Sequence, residues 1–448
     1  MDQGPQDAGL LHWTFAHGTF PGRANSVKSG VIADRPLAFV SDDATPTSID
    51  RTLRAVAEKA LAGERLSLAD GEALYTTPDI WGVCSLADKV RRRLNGDAAY
   101  YNINRHLNYS NICALSCKFC EFYRKKGDAD AYTRDMDYVR AEAAKAVESG
   151  ATEIHSVGGL HPYLPFDYYT GLVRTIREAA QSLGSDLHVK AFTAVEVVHL
   201  ARIAKVYKND DRRAGIRWVL ERLKEAGLGS IPGGGAEVFD DRVHDEAFKG
   251  KIRSDVWLDV HRVAHEIGLN SNATILYGHI EDRRERLVHM DMLRRAQDEA
   301  LARRAAATGR EGDYGAFQCI IPLPFLPDGS ELGRLPGPCG LENLRTLAIS
   351  RLMLDNFPHV KAFWIMQTLP MAQLMLQSGA DDIDGTVVWY DITHVGGATT
   401  HQETTAEDLR RTIRGAGFEP VERDTLYRRV VRDGKRWSVG TGAKVGGA

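Results

Sequence analysis

The chain reads as an α/β protein built on a (β/α)8 barrel, with an N-terminal helical extension and a short C-terminal extension. Three observations lead there. From about Tyr101 onward, short β-rich runs alternate with amphipathic helices, and such alternation implies a parallel sheet. The clearest helices stop at Gly150, Gly184, Gly227 and Gly268, where glycine supplies the left-handed end needed for a tight return to the sheet. Eight strand candidates can be counted, the number that closes such a barrel.

Taken in order, residues 1–45 are rich in Gly, Pro, Ser and Asp without a sustained period and read as a loosely ordered extension. Residues 46–100 form a helical segment in which Leu53, Val56, Ala57, Ala60 and Leu61 make one apolar stripe. The barrel spans 101–390. Its strand candidates are NINRHLNYS, GATEIHSVGG, LHVKAFTA, SIPGGGAE, NSNATILYG, FQCIIPLPF, KAFWIM and DDIDGTVV. Between them run helices that bury Val139, Ala143 and Val147, then Leu172, Val173 and Ile176, then Ile216, Val219 and Leu220, then Val256, Val260 and Val263. Residues 391–448 form the C-terminal extension, with one further helix over Thr405–Ala416.

Composition narrows the function. Of 448 residues, 43% are hydrophobic and 26% charged, which excludes a wholly disordered chain. Lys plus Arg is 57 against 60 Asp plus Glu, a net charge of −3, and this argues against a nucleic-acid or anionic-membrane binder. The longest apolar stretch, Phe317 to Leu326, holds two prolines and falls short of the ~20 residues a membrane span requires. The N-terminus has no basic segment followed by an apolar one, so the expected location is the cytoplasm.

The most informative feature is the run Asn111-Ile-Cys113-Ala-Leu-Ser-Cys117-Lys-Phe-Cys120-Glu-Phe-Tyr-Arg124. Three thiolates on one loop can converge on a single metal centre, and thiolate selects zinc or iron–sulfur. Structural zinc would want a fourth ligand, for which His106 could serve. Cys84, Cys319 and Cys339 stand alone and read as packing or surface thiols.

A CxxxCxxC motif with an aromatic before its last cysteine, placed after the first strand of a βα array, resembles the signature of the radical S-adenosylmethionine superfamily. That resemblance implies a [4Fe–4S] cluster on Cys113, Cys117 and Cys120, with S-adenosylmethionine chelating the fourth iron and consumed as a co-substrate. It implies that Phe119 lies against the adenine and that the backbone of Gly158-Gly159 approaches the methionyl amino group. Glu196 is placed with the cofactor-binding residues. The segments CKFCEFYR, GGLHP, KAFTAVE, IPGGGAE, NATILYGHIE, IPLPF and RLMLDNFPHVKAFWIM are similar to those of the aminodeoxyfutalosine synthase family. Asp384-Gly385-Thr386 and Ile392-Thr393-His394 point the same way. Cyclic dehypoxanthinyl futalosine synthases and deazaflavin-synthesis enzymes share much of this frame.

That family resemblance implies addition of a 5′-deoxyadenosyl radical to a small dicarboxylate enol ether, 3-[(1-carboxyvinyl)oxy]benzoate, with a flavodoxin- or ferredoxin-like electron donor. Two carboxylates call for cations, and Lys190 and His279 are the candidates for catalytic contact. Each has a structural alternative: a lysine snorkelling at the barrel rim, and a satisfied structural histidine. Glu237 and His161 are open between anchor and site. Arg351 reads as a surface or barrel-wall ion pair, and His261 with His265 as surface histidines. Gly233-Gly234-Gly235 lacks the spacing of a dinucleotide loop.

Overall fold

A computed structural model describes residue 50 and residues 53–387 and 403–440. The extension expected over 1–45 and the His394 segment lie outside the described residues.

Three helices come first: α1 (Arg54–Ala62), α2 (Leu68–Thr76) and α3 (Ile80–Asn95). Capping explains two of their starts, since Ser67 accepts from the amide of Asp70 and Asp79 accepts from that of Gly82. Next come β1 (Ala98–Asn102), β2 (Asn104–Leu107), α4 (Met136–Glu148), β3 (Glu153–Ser156), α5 (Phe166–Ser182) and β4 (His188–Ala191). The chain continues through α6 (Ala194–Ile203), α7 (Arg212–Glu225), β5 (Ser230–Ile231), α8 (Asp241–Ala247), α9 (Ser254–Glu266) and β6 (Asn270–Tyr277). Then follow α10 (Arg283–Ala306), β7 (Phe317–Pro324), α11 (Gly340–Met353), β8 (His359–Val360), α12 (Trp364–Gln367), α13 (Leu369–Leu376) and β9 (Asp382–Gly385). The last elements are α14 (Ala406–Gly415), β10 (Glu419–Glu422), β11 (Val430–Asp433) and β12 (Arg436–Val439).

Strands β2 to β8 form one parallel seven-stranded sheet in sequence order, the β-helix-β alternation read from the sequence. The eighth candidate, β9, sits in a second sheet of order β10-β1-β9. The two sheets join at both ends. A parallel bridge links Lys361 to Asp382, and the Ala362 amide donates to the Asp382 carbonyl at 2.8 Å. At the other end, β1 and β2 are one chain path that leaves β9 after Asn102 and takes up β3 at Asn104. Thr386 stitches this seam: its amide donates to the Asn102 carbonyl and its hydroxyl to the Asn104 carbonyl.

Two strand candidates are shorter than expected. In SIPGGGAE only Ser230 and Ile231 pair, because Pro232 offers no N–H and Gly233 presses on Ala273, where a Cβ would lie 2.6 Å from its backbone. In KAFWIM, only Lys361 bridges a neighbouring strand and Trp364–Gln367 is a helical turn, the ambiguity of any short buried apolar run. The C-terminal part holds more than the one expected helix: β10 pairs with β1 in parallel, and β11 with β12 form a hairpin.

Burial corrects one expectation. His261 and His265 are not surface residues: both are 1% exposed, sharing the Ser271 hydroxyl at 2.9 and 2.8 Å while His261 stacks on Trp257. Burial holds both imidazoles neutral, His265 being pushed down to about 3. Arg351 is the barrel-wall alternative, fully buried and paired with Asp381.

Candidate active site

Parallel strands that all end on one side leave their C-terminal ends to build a site. There, a single cavity of about 310 Å³ is lined by Cys113, Cys117, Cys120, Gly158, Gly159, Lys190, Glu196 and Glu237, among others.

The cysteines lie on the β2–α4 connection, which strand-like contacts hold in shape. The Cys113 amide donates to the Arg124 carbonyl at 3.0 Å and the Arg124 amide to Asn111 at 2.8 Å, while Asn111 itself pins Asp130 and Tyr132. The Lys118 amide donates to Ala247 at 2.9 Å, fastening the loop to the end of α8. Cys113 Sγ accepts from the amides of Leu115 and Leu160, both at 3.4 Å, as metal-bound sulfur does. All three cysteines are free thiols. Burial pushes the Cys117 thiol up to about 12 and that of Cys120 upward as well, so ionisation here calls for a metal's charge.

Zinc needs its ligands within one coordination sphere, and among the described residues no three His, Cys, Asp or Glu side chains are gathered for a single ion. His106, the possible fourth ligand, packs instead against His155, the rings tilted by 52° with centroids 4.6 Å apart. The cysteines share a cavity wall, which suits a broader body such as a [4Fe–4S] cluster.

The glycine pair has a steric reason. A Cβ on Gly159 would meet the Ile112 carbonyl oxygen at 2.3 Å, and one on Gly158 would meet Tyr109 at 2.7 Å. Their bareness lets the cysteine loop lie flat on the end of β3, where the Gly159 amide donates to Ser110 at 2.8 Å. Glu196 belongs to the same corner. It forms a capping box with Thr193 at the start of α6, and accepts from the Tyr109 hydroxyl at 2.7 Å and the Gly158 amide at 3.1 Å. The Thr193 hydroxyl donates as well, at 2.8 Å, and burial raises the carboxyl to about 7 against these four donors.

Phe119 stands edge-on to Phe248, and Lys251 Nζ lies 5.0 Å from its ring centroid. Lys251 is paired with Glu237, whose backbone takes φ 46°, a conformation costly for a residue with a Cβ. Deeper in the cavity, Lys190 is not a rim lysine: it is 5% exposed and its Nζ lies 2.6 Å from Glu153. Lys361 makes the matching pair with Asp384 at 2.7 Å, and Asp384 is also left-handed, with φ 70°. These pairs flank the two histidines, and three of the four paired groups, all but Glu153, line the cavity.

His279 does not line the cavity. Its Nε2 meets the Leu276 carbonyl at 3.0 Å and its Nδ1 lies 3.3 Å from Glu281, so it shapes the β6–α10 turn. His161 likewise turns the chain, Nδ1 accepting from the amides of Tyr163 and Leu164. Sequence reasoning gave no site role to Lys251, Lys361, His155 or Asp384, although Lys361 and Asp384 lie in segments that carry the family resemblance. Lys251 sits in a loop without pattern, and the other three occupy strand ends where any charge reads as rim.

Comparison with known proteins agrees with this geometry. Residues 107–293 match the Radical SAM superfamily and residues 314–433 the CofH/MqnC C-terminal region. The chain is 43% identical to an aminodeoxyfutalosine synthase of Thermus thermophilus over 85% of its own length and 96% of the relative's. It is 43% identical to one of Streptomyces coelicolor, covering 84% and 93%. The solved structure of methylornithine synthase superposes with a TM-score of 0.61 at 16% identity, over 82% of this chain and 97% of that one, a likeness of fold. A superfamily signature seated in the described cavity, with relatives of that identity along nearly their whole length, places the chain in the aminodeoxyfutalosine synthase family of radical S-adenosylmethionine enzymes, which work with a [4Fe–4S] cluster, S-adenosylmethionine, a small-molecule substrate and an electron donor.

Proposed function

We propose that the protein joins the 5′-deoxyadenosyl group of S-adenosylmethionine to the vinyl carbon of 3-[(1-carboxyvinyl)oxy]benzoate, forming aminodeoxyfutalosine with loss of a carboxyl as bicarbonate. The observation that carries this reading is one cavity holding three cysteines at its mouth and two buried lysines, Lys190 and Lys361, within. When bound, the cluster supplies the electron that splits the sulfonium and so starts radical chemistry.

The chain's own residues do the rest. Cys113, Cys117 and Cys120 would hold the cluster, and the bare Gly158-Gly159 pair keeps their loop seated on β3. Phe119 offers an aromatic face beside them for the adenine. Glu196, fixed by four donors, sets the corner from which α6 and β3 meet the cofactor. Leu276, Leu323, Phe325, Phe363 and Met366 line the wall and exclude water from a reaction that stray hydrogen donors would quench. A one-electron donor of the flavodoxin or ferredoxin class would supply the reductant.

The test is anaerobic reconstitution with iron and sulfide, then dithionite and S-adenosylmethionine with and without the enol ether, reading products by mass spectrometry. An adenosine-containing adduct lacking one carboxyl is expected. Turnover of dehypoxanthine futalosine instead would assign the chain to the cyclising relatives.

A further inference from the structure

The inner end of the cavity holds charge in a pattern that the proposed reaction leaves unexplained. Lys190 faces Glu153, Lys361 faces Asp384, and behind them Arg423 faces Asp382. Three cations meet three carboxylates, so this floor is neutral while its two imidazoles are uncharged. Both are: burial, ahead of the mixed influence of Asp384, Glu153, Lys190 and Lys361, pushes His106 down to about 4. Burial, the neighbouring His106 and Lys190 hold His155 well below its ordinary range, against the pull of Glu153. The Nε2 of His155 is buried without a hydrogen-bond partner.

Now consider the ligand of the proposed reading, on which this inference rests. It carries two carboxylates, and the cavity lysines among the described residues, Lys190, Lys251 and Lys361, are each already held by a carboxylate of the chain. The vinyl group has to lie at the cysteine end, where the deoxyadenosyl carbon arises. The benzoate carboxylate, at the far side of the ring, then points to the floor. There it is one uncompensated negative charge in a site screened from water, a costly state unless a proton accompanies it. The lysines are already protonated, and the floor carboxylates are held ionised by their cations. Glu196, raised to about 7, sits at the cysteine corner, so on the floor only the imidazoles can take a proton near neutral pH. Because two imidazolium ions with centroids 4.6 Å apart repel, one of the pair does so.

We infer that Lys190, Lys361 and the adjoining His106–His155 pair form the subsite for the benzoate carboxylate, and that the substrate enters with one proton taken up by the imidazoles. The carboxylate stabilises the imidazolium, and the imidazolium donates the hydrogen bond that the neutral floor lacks. Binding weakens as pH rises, because the proton must then be drawn from a more dilute pool.

The experiment is anaerobic calorimetry on the reconstituted holoenzyme with S-adenosylmethionine and no reductant, titrating the enol ether in buffers of different ionisation enthalpy. The dependence of heat on buffer is expected to give uptake of about one proton per substrate. It should vanish in the His106→Gln, His155→Gln double variant, with affinity down roughly tenfold. The benzamide analogue of the substrate, lacking the ring charge, should bind the native enzyme without uptake, a control that needs no altered protein. Buffer-independent heat in the native enzyme, or uptake that survives in the double variant, overturns the inference. Adduct formation without proton uptake removes the inference alone. Failure to form any adduct removes the function on which it rests.

Discussion

Arg423 Nε donates to Asp382 Oδ2 at 2.7 Å, with both side chains essentially excluded from solvent. One residue follows β10 and the other begins β9, so a C-terminal side chain neutralises a carboxylate on the barrel seam. Tyr427 donates to the same oxygen at 2.7 Å. Replacing Arg423 by Met strands Asp382 in the interior, which should cost about 3–5 kcal/mol. Urea unfolding of the Arg423→Met variant measures this, and adding Asp382→Asn should restore part of the loss.

The close approach of Gly159 to Ile112 leads to a different failure. A methyl group there would meet a carbonyl oxygen at 2.3 Å, and backbone cannot swing aside as a side chain can. Gly159→Ala should keep the far-ultraviolet dichroism of the native protein yet lose most reconstituted iron and sulfide, because the displaced loop carries Cys113.

Glu196 links stability to pH. Its folded carboxyl titrates at about 7, against 4.5 ordinarily, so the folded state holds the proton more tightly than the unfolded one. That contribution is complete below about pH 4.5 and is lost as pH rises through 7, up to about 3 kcal/mol in all. Denaturant midpoints between those limits should fall more steeply in the native protein than in Glu196→Gln. The variant should also be weaker overall by about 1–3 kcal/mol, since an amide NH2 would face one of the fixed amides of Thr193 and Gly158.

Lys251 bears on the electron. Its charge is felt at Cys117 and Cys120, and Glu237 holds it in place beside Phe119. Lys251→Met leaves the Glu237 carboxylate unopposed near the cysteines, where adding an electron becomes harder. Spectroelectrochemistry of the reconstituted variant should show a midpoint lower by something on the order of 50–100 mV.

Much of this was legible in residue order. Helix stops at Gly150, Gly184, Gly227 and Gly268 are left-handed in the structure, with φ from 71° to 112°, so the βα rhythm was encoded locally. The cysteine loop and the glycine pair were legible because their spacing is itself the chemistry. What stayed hidden was pairing over long separations. Lys190 looked like a rim residue because Glu153 is 37 positions away, and nothing local marks a partner across a sheet. The interior position of His261 and His265 depends on Ser271 and Trp257 packing around them. The seam at 98–107 was invisible for the same reason, since no periodicity shows that one chain path serves two sheets.

That seam has a consequence for how the molecule comes into being. The first strand among the described residues, β1, is flanked in the finished fold by β9 and β10, which leave the ribosome only after some 280 and some 317 further residues. Until then both edges of β1 expose unpaired amides and carbonyls, the template for mispairing with another chain. Closure of the ring is therefore a late event of synthesis, one that the seven-stranded arc must wait for, and a nascent chain halted before Glu419 would carry a bare edge where Arg423 should have locked the seam.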